Sequence, residues 1–291
     1  MKPPPFSYYD PETIADVIGL LSSRENAKLL AGGQSLMPML NMRFVLPDHV
    51  IDLNRVQNLA YIREAGGALE VGAMTRQRDL EFTDLVRTRC PLIHEAILQV
   101  GHRQTRNRGT LGGSLCHLDP SAELVAVATA LDATVSVSGP KGRREIPFAD
   151  FPAAYMTPAI EPDELLTGVR FRLWARGHGH AFVEFARRHG DFAVVSAAAL
   201  LEADGAGKIT RASLTVGGLG PAPIRVSKVE QALVGNIASA ALFRDVCESC
   251  RQLDAMGDVH APVSYRQHLA AVLSRRALEK AHARSGSADH E

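Results

Sequence analysis

The chain has 291 residues, enough for a well-buried core and for two domains. Lysine plus arginine and aspartate plus glutamate number 32 each, and this balance argues against a general nucleic-acid or anionic-membrane surface. No apolar run approaches the ~20 residues of a membrane span, and four cysteines are too few for a disulfide scaffold, so the composition favours a cytoplasmic protein with reduced thiols.

Helices and short strands are interleaved along the first part of the chain. Asp10 followed by Pro11 predicts a helix start, after which apolar residues recur with helical spacing. The run 91–101, with proline at its start and glycine at its end, predicts another helix. Strands are predicted at 27–31, 49–53, 68–73, 133–139 and 164–173. The mixture indicates the α+β class.

The segment WARGHGH (174–180) is rich in glycine and histidine and predicts a connection, so we place a domain boundary near Gly177. Beyond it lie the segments AAALLEA (197–203) and ITRASLTVGGLG (209–220), and the second is typical of a strand end and turn at Gly217 and Gly218. Helices are predicted at 227–235, at about 238–253 and from near Ser264 past Leu278. The predicted division is residues 1–176, with lobes of about 1–58 and 59–176, then a domain at 177–285 and a frayed tail at 286–291.

Glycine pairs occur at 32–33, 66–67, 112–113 and 217–218. The pairs at 66–67 and 217–218 follow strand-like segments and are typical of turns. LAGGQSL (30–36) and TLGGSLC (110–116) resemble each other, and glycine loops of this kind can expose amides that bind an anion. Neither continues as a P-loop, and no G-x-G-x-x-G follows a first strand. The two segments suit a diphosphate diester such as that of FAD, and two ordinary strand-end turns are the alternative.

The segments AGGQSLMPMLNMR (31–43) and RNRGTLGGSLCHLDPSAEL (106–124) resemble the two FAD-binding loops of the medium, flavin-carrying subunit of the molybdenum hydroxylases. That family includes carbon monoxide dehydrogenase and xanthine dehydrogenase. FVEFARRHGDFAVVSAAALL (182–201) and LTVGGLGPAPIRV (214–226) resemble the start of the subunit's C-terminal domain. The resemblance implies a two-lobed FAD-binding domain of the vanillyl-alcohol-oxidase/p-cresol-methylhydroxylase type, followed by a small α+β C-terminal domain.

The resemblance also implies roles for individual residues, and none of these roles is catalytic or metal-binding. The residues expected to hold the two sides of the pyrophosphate are Ala31, Gly32, Gly33, Gln34, Ser35 and Leu36 on one side and Thr110, Gly112, Gly113 and Ser114 on the other. Glu123 stands where relatives have an aspartate that contacts ribityl or ribose hydroxyls. Phe182 stands where an aromatic residue, often tyrosine, covers the flavin edge. Leu166 is a further expected flavin contact, and Glu184 replaces a lysine that is frequent in relatives.

Other groups of residues have simpler explanations. Cys247 and Cys250 are better explained as half-buried helix thiols than as a metal or redox pair. Core packing and a place in the flavin pocket are equally good explanations for Cys116. The arginine-rich run 103–108 favours a solvated or subunit-facing surface over a nucleic-acid patch. Asp119 is expected to cap the helix that follows it.

The main functional hypothesis is the FAD-carrying electron-transfer subunit of a heteromeric molybdenum-containing hydroxylase or dehydrogenase. In such a complex, a small partner subunit carries [2Fe-2S] clusters and a large partner subunit carries a molybdenum-pterin cofactor and hydroxylates the substrate. This chain lacks the cysteine sets for clusters. It would pass electrons from those clusters to an external acceptor, in a heterotrimer or its dimer. The alternatives are a self-sufficient FAD-dependent oxidase or reductase on the same fold, and a nucleotide-binding module without a redox task.

Overall fold

A computed structural model describes residues 1–285, and the predicted tail at 286–291 lies outside the described residues. The chain has mixed helix and strand content, and this confirms the predicted α+β class. Within residues 1–285, no helix combines the length and the apolar character that crossing a membrane requires.

The first lobe is a small parallel sheet with its connecting helices. Its elements are β1 (Ser7–Tyr9), α1 (Ile14–Ser23), β2 (Ala27–Leu30), α2 (Leu36–Asn41) and β3 (His49–Asp52). Strand β3 lies between β1 and β2 and runs parallel to both. The Thr13 hydroxyl caps α1 by accepting a hydrogen bond from the Asp16 amide at 3.1 Å, so the predicted start at Asp10 was too early. Asp10 instead pairs with Arg55 at 2.9 Å.

The second lobe is an antiparallel sheet with a layer of helices. Its elements are β4 (Ile62–Ala65), β5 (Ala68–Gly72), α3 (Gln77–Phe82), α4 (Asp84–Arg89), α5 (Pro91–Ile97), α6 (Arg103–Arg108), α7 (Leu111–His117), α8 (Glu123–Ala130), β6 (Thr134–Gly139), β7 (Gly142–Pro147), β8 (Pro152–Ala154), β9 (Thr157–Pro158) and β10 (Leu165–Arg172). The main sheet has the order β4-β5-β10-β6-β7, and β8 pairs with β9. Gly66 and Gly67 have φ of +56° and +74°, which confirms the predicted hairpin turn.

The C-terminal domain packs helices on one face of a second antiparallel sheet. Its elements are β11 (Gly179–Phe185), β12 (Val195–Ala203), β13 (Ile209–Gly217), β14 (Ile224–Arg225), α9 (Ser227–Leu233), α10 (Ala240–Cys247) and α11 (Val263–Arg284), in sheet order β11-β12-β13-β14. The guanidinium of Arg266, buried on α11, donates to the carbonyl oxygens of Val194 and Gly218 at 2.6 and 2.5 Å, and to Asp258 at 2.7 Å. This one side chain therefore ties α11 to the ends of β12 and β13.

Helix α8 is buried on nearly all sides because it lies between the two domains. It shares one apolar cluster with the second-lobe sheet and with Phe182, Ala198 and Leu200 of the C-terminal sheet. Strand β12 is buried on both faces for the same reason, since α8 covers one face and α11 the other. The two domains therefore share a core.

Glu95 on α5 adds a polar tie between the domains. Its carboxylate pairs with Arg284 at 2.7 Å and with Lys280, both on α11, and accepts the Phe182 amide at 3.0 Å. The connection between β10 and β11 contains Gly177, with φ of +78°. The boundaries at 58, 176 and 285 stay predictions.

Three helix predictions need correction. Helix α5 ends at Ile97 rather than near 101, and the predicted helix at 238–253 is α10 followed by a 3₁₀ turn, Glu248–Gln252. Asp119 does not cap α8, because its carboxylate accepts the Ser121 amide at 2.8 Å in the turn before the helix. The helices that were not predicted include α2, α3, α4, α6 and α7.

Candidate functional site

The first glycine segment connects β2 to α2. Within residues 1–285, the main-chain amides from Gly32 through Leu36 donate no hydrogen bond to the protein. Gly33 has φ of +75°, which L side chains rarely adopt, and its carbonyl accepts the Met37 amide at 3.1 Å. The Ser35 hydroxyl makes no capping bond. The segment thus presents a run of N–H groups and a hydroxyl that are available to an anion.

The glycine pair at 112–113 lies in the first turn of a helix, so this segment is not the strand-end turn that was the alternative explanation. Helix α7 begins at Leu111, and the Thr110 hydroxyl caps it by accepting the Gly113 amide at 3.0 Å. The Leu111 amide donates to Thr75 at 3.0 Å, and the Gly112 amide donates to Ala73 at 2.8 Å. These bonds align the start of α7 with the chain that follows β5.

Few donors remain free on this second side. The Ser114 amide donates to the Thr110 carbonyl at 3.1 Å, so the amides from Leu111 through Ser114 all have acceptors within the protein. Within residues 1–285, the Thr110 amide donates to no protein acceptor, and the hydroxyls of Thr110 and Ser114 donate to none either. Gly112 and Gly113 therefore contribute space here rather than free amides.

The two glycine segments contact each other through backbone. A Cβ added to Gly32 would lie 2.3 Å from the carbonyl oxygen of Arg108 and 2.7 Å from the Cα of Gly109. A Cβ on Gly113 would lie 3.5 Å from the Cβ of Ala31 and 2.8 Å from the Thr110 hydroxyl oxygen. Gly32 is thus required for the close approach of the segments, and Gly113 keeps the space between them open.

Two domain families match the chain in tandem. Residues 4–174 match the family described as the FAD binding domain in molybdopterin dehydrogenase, and residues 180–281 match the CO dehydrogenase flavoprotein C-terminal domain. The chain belongs to the FAD-binding medium subunits of the molybdenum hydroxylases. This confirms the resemblance and the predicted pair of domains.

Similar proteins cover nearly the whole chain of this medium subunit. It is 38% identical to the 6-hydroxypseudooxynicotine dehydrogenase complex subunit alpha of Paenarthrobacter nicotinovorans, over 97% of this chain and 96% of that protein. It is 36% identical to the carbon monoxide dehydrogenase medium chain of Afipia carboxidovorans, over 98% and 99%. The solved carbon monoxide dehydrogenase of Hydrogenophaga pseudoflava, in a form lacking the Mo-pyranopterin moiety, contains a chain that matches with a TM-score of 0.95 at 33% identity, over 98% of this chain and 100% of that chain.

The donors of the two segments fit the diphosphate of FAD. Each phosphate of a diphosphate diester carries about one negative charge, which neutral N–H and O–H groups can bind without a lysine. The open amides of residues 32–36 and the hydroxyls of Ser35, Thr110 and Ser114 form such a set. The backbone approach at Gly32 brings the two groups of donors to the same place. The residue-by-residue contacts with FAD stay predictions.

Glu123 and Glu184 bring two carboxyls together between the domains of the medium subunit. Glu123, at the start of α8, is 5% exposed, and burial raises its pKa to about 7. Burial and then repulsion by Glu123 raise the pKa of Glu184, on β11, to about 8. One oxygen of Glu184 is buried and has no hydrogen-bond partner in residues 1–285. Both groups are therefore partly protonated near neutral pH, and the predicted hydroxyl contact of Glu123 stays a prediction.

Phe182 and Leu166 lie in the core. Phe182 is 2% exposed and belongs to the apolar cluster shared between the domains, and its cover over a flavin edge stays a prediction. Leu166, on β10, is also buried, and β10 packs against α7. Phe192, an aromatic residue that was not predicted as part of the site, is 62% exposed. It follows Gly190, which lies against the His102 side chain just before α6. The sequence feature that could have identified Phe192 is its place in the motif RRHGDFA, on the turn between β11 and β12.

The cysteines and the arginine-rich run considered in the sequence are explained by burial and ion pairing. Cys247 and Cys250 are both buried, and within residues 1–285 no three His, Cys, Asp or Glu side chains are arranged to hold a metal ion. Burial raises the pKa of Cys116 to about 12. Arg106 is not part of a basic surface, because it is buried and pairs with Glu81 at 2.8 Å. Only the flanking arginines of the run 103–108 remain available for such a surface.

Proposed function

We propose that this medium subunit carries FAD and passes electrons from the [2Fe-2S] clusters of a small partner subunit to an external acceptor. The observation that carries the proposal is the pair of glycine segments, with main-chain amides on one side and hydroxyls on the other that donate to no acceptor within residues 1–285. In the complex, a large partner subunit would hold a molybdenum-pterin cofactor and hydroxylate the substrate, in a heterotrimer or its dimer. We place the complex in the cytoplasm.

The similar proteins support this division of labour. They are named as a complex subunit and a medium chain, and they align with this chain over 96% and 99% of their own length. This chain is thus the same size as proteins that work as parts of a larger enzyme. Its four cysteines are also fewer than two clusters need, since each cluster takes about four thiolates.

The role of this chain's residues is to bind and to exclude water. When bound, FAD supplies a redox centre that can accept electrons one at a time and release them in pairs. The open amides after Gly32 and the Ser35 hydroxyl would bind one phosphate, and the hydroxyls of Thr110 and Ser114 the other. The exposed ring of Phe192 is available to cover one face of the bound molecule.

The first test is the identity and the position of the flavin. The purified chain should release FAD, and not FMN, on denaturation, because two sets of phosphate donors serve a diphosphate. Gly33→Val should abolish flavin binding, since a β-branched residue disfavours φ of +75° and would crowd the segment. Gly67→Val is the matched control, because Gly67 has φ of +74° and no atom of residues 1–285 lies within 4 Å of the added Cβ. Equal FAD content in the two variants would contradict the proposed site.

The second test is the dependence on partner subunits. Candidate iron–sulfur and molybdenum subunits would be co-expressed with this chain and purified through a tag on it. An organic donor should reduce the flavin of the complex and leave the flavin of the isolated chain oxidised. Reduction of the isolated chain at the rate of the complex would instead support a self-sufficient flavoenzyme.

A further inference from the structure

A ring of polar contacts joins the two glycine segments away from the open amides. Asn54, which follows β3, donates from its side-chain nitrogen to the carbonyl oxygen of Ala31 at 3.2 Å. The side-chain oxygen of Asn54 accepts from the Arg76 guanidinium at 2.5 Å. The same guanidinium donates to the carbonyl oxygen of Arg108 at 2.5 Å. The ring closes at Gly32, because that carbonyl oxygen is the atom that Gly32 approaches.

Further hydrogen bonds fix the positions of Asn54 and Arg76. Asn54 is held by Asp52, whose carboxylate accepts the Asn54 amide at 2.9 Å and also bonds the Asn54 side chain. Arg76 lies beside the second segment, because its neighbour Gln77 donates to the Gly109 carbonyl at 2.9 Å. The side chains of Asn54 and Arg76 therefore span the gap between the two lobes.

We propose that Arg76 and Asn54 are positioning residues that hold the two glycine segments at the separation that a bound diphosphate requires. This inference rests on the proposed FAD site. Both acceptors of Arg76 are neutral oxygens, so the bonds fix geometry rather than neutralise a carboxylate. A guanidinium has donors in a planar fork and can reach two acceptors at once, which one ammonium on a flexible stem cannot do as rigidly. The chain therefore needs arginine, and not merely positive charge, at this position.

The test measures FAD affinity of the apoprotein by quenching of flavin fluorescence, with the melting temperature of each apoprotein as a check of folding. Arg76→Met and Asn54→Ala should each raise Kd at least tenfold, and Arg76→Lys should restore less than half of that loss on a logarithmic scale. Arg78→Met is the matched control, since Arg78 is exposed, donates to Asn107 and stacks on Phe82, and touches neither glycine segment among the contacts described for residues 1–285. Its Kd should change less than twofold.

The double variant and the salt dependence separate positioning from other roles. Arg76→Met combined with Asn54→Ala should raise Kd no more than the worse single variant, because both break the same ring. The dependence of Kd on salt should match the wild type if Arg76 does not contact a phosphate. The positioning role would be overturned if the increases in Kd of the two single variants multiply in the double variant. It would also be overturned if the Kd of Arg76→Met depends less on salt than the Kd of the wild type. An unchanged Kd in Arg76→Met would overturn it too, whereas failure of the wild-type chain to bind FAD would refute the proposed function instead.

Discussion

Replacing Glu184 by glutamine should make the stability of the protein less dependent on pH. Burial and the neighbouring Glu123 raise the pKa of Glu184 to about 8 in the folded chain, from an ordinary value of 4.5. A carboxyl with a raised pKa stabilises the folded state fully below its unfolded pKa, and this contribution is lost as the pH rises through the folded pKa. The affected window therefore runs from about pH 4.5 to about pH 8.

The size of the effect follows from the same geometry. One pKa unit corresponds to about 1.4 kcal/mol in the free energy of unfolding. Because part of the Glu184 carboxyl still contacts solvent, the stability difference is considerably smaller than the whole pKa shift would give, and we expect about 2 kcal/mol. Glutamine resembles the protonated acid in size and neutrality. Glu184→Gln should thus match the wild type near pH 5 and exceed its free energy of unfolding by about 2 kcal/mol at pH 9.

The assay is urea unfolding of the apoprotein followed by circular dichroism at pH 5, 7 and 9. Glu25→Gln is the control for the substitution itself, because Glu25 is exposed between α1 and β2. Glu123→Gln should lessen the gain from Glu184→Gln, since it removes the facing charge. A difference between Glu184→Gln and the wild type that stays constant from pH 5 to pH 9 would refute the reasoning.

Further substitutions test the packing of the site and the core, each by its free energy of unfolding. Gly32→Ala should cost about 1–3 kcal/mol, because the added Cβ meets the backbone of the second segment. Gly19→Ala, inside α1 with no atom of residues 1–285 within 4 Å of the added Cβ, should stabilise by about 0.5–1 kcal/mol. A loss at Gly19 as large as that at Gly32 would contradict this. Arg266→Met should cost about 3 kcal/mol or more because three oxygens lose their donor, and a neutral result would show that water replaces it. Phe182→Ala should cost about 3–5 kcal/mol if its ring fills the shared core. A cost under about 1 kcal/mol would indicate that the ring lies at the surface instead.

Much of the strand pattern was readable from the sequence because apolar runs and glycine turns mark it directly. The turn at Gly66 and Gly67 is an example, since both residues take positive φ between paired strands. Helix α7 was not readable in this way, because two glycines in its first turn oppose helix formation by about 1 kcal/mol each. The Thr110 cap and the contact of Gly112 with the Ala73 backbone outweigh that preference. Tertiary bonds, which no local pattern reveals, decide the conformation there.

The candidate site was predicted in outline and not in detail. The paired glycine segments marked it, but which amides stay open depends on how residues 109–112 align with residues 73–77, and this alignment is long-range. The sequence also could not predict on which side of β11 the Phe182 ring lies. Both sides of β11 and β12 are covered, so alternation does not tell which side meets a cofactor and which meets the core.

The core shared by the two domains has a consequence for how the chain folds and how it can be divided. A fragment ending at residue 176 would leave α5 and α8 without the strand surface of Phe182, Ala198 and Leu200, and would expose that apolar face to water. The two domains should therefore melt in a single calorimetric transition. Exchange of the C-terminal half between relatives would succeed only where the incoming strands carry side chains of matching volume at these positions, so the chain should behave as one folding unit although two families describe it.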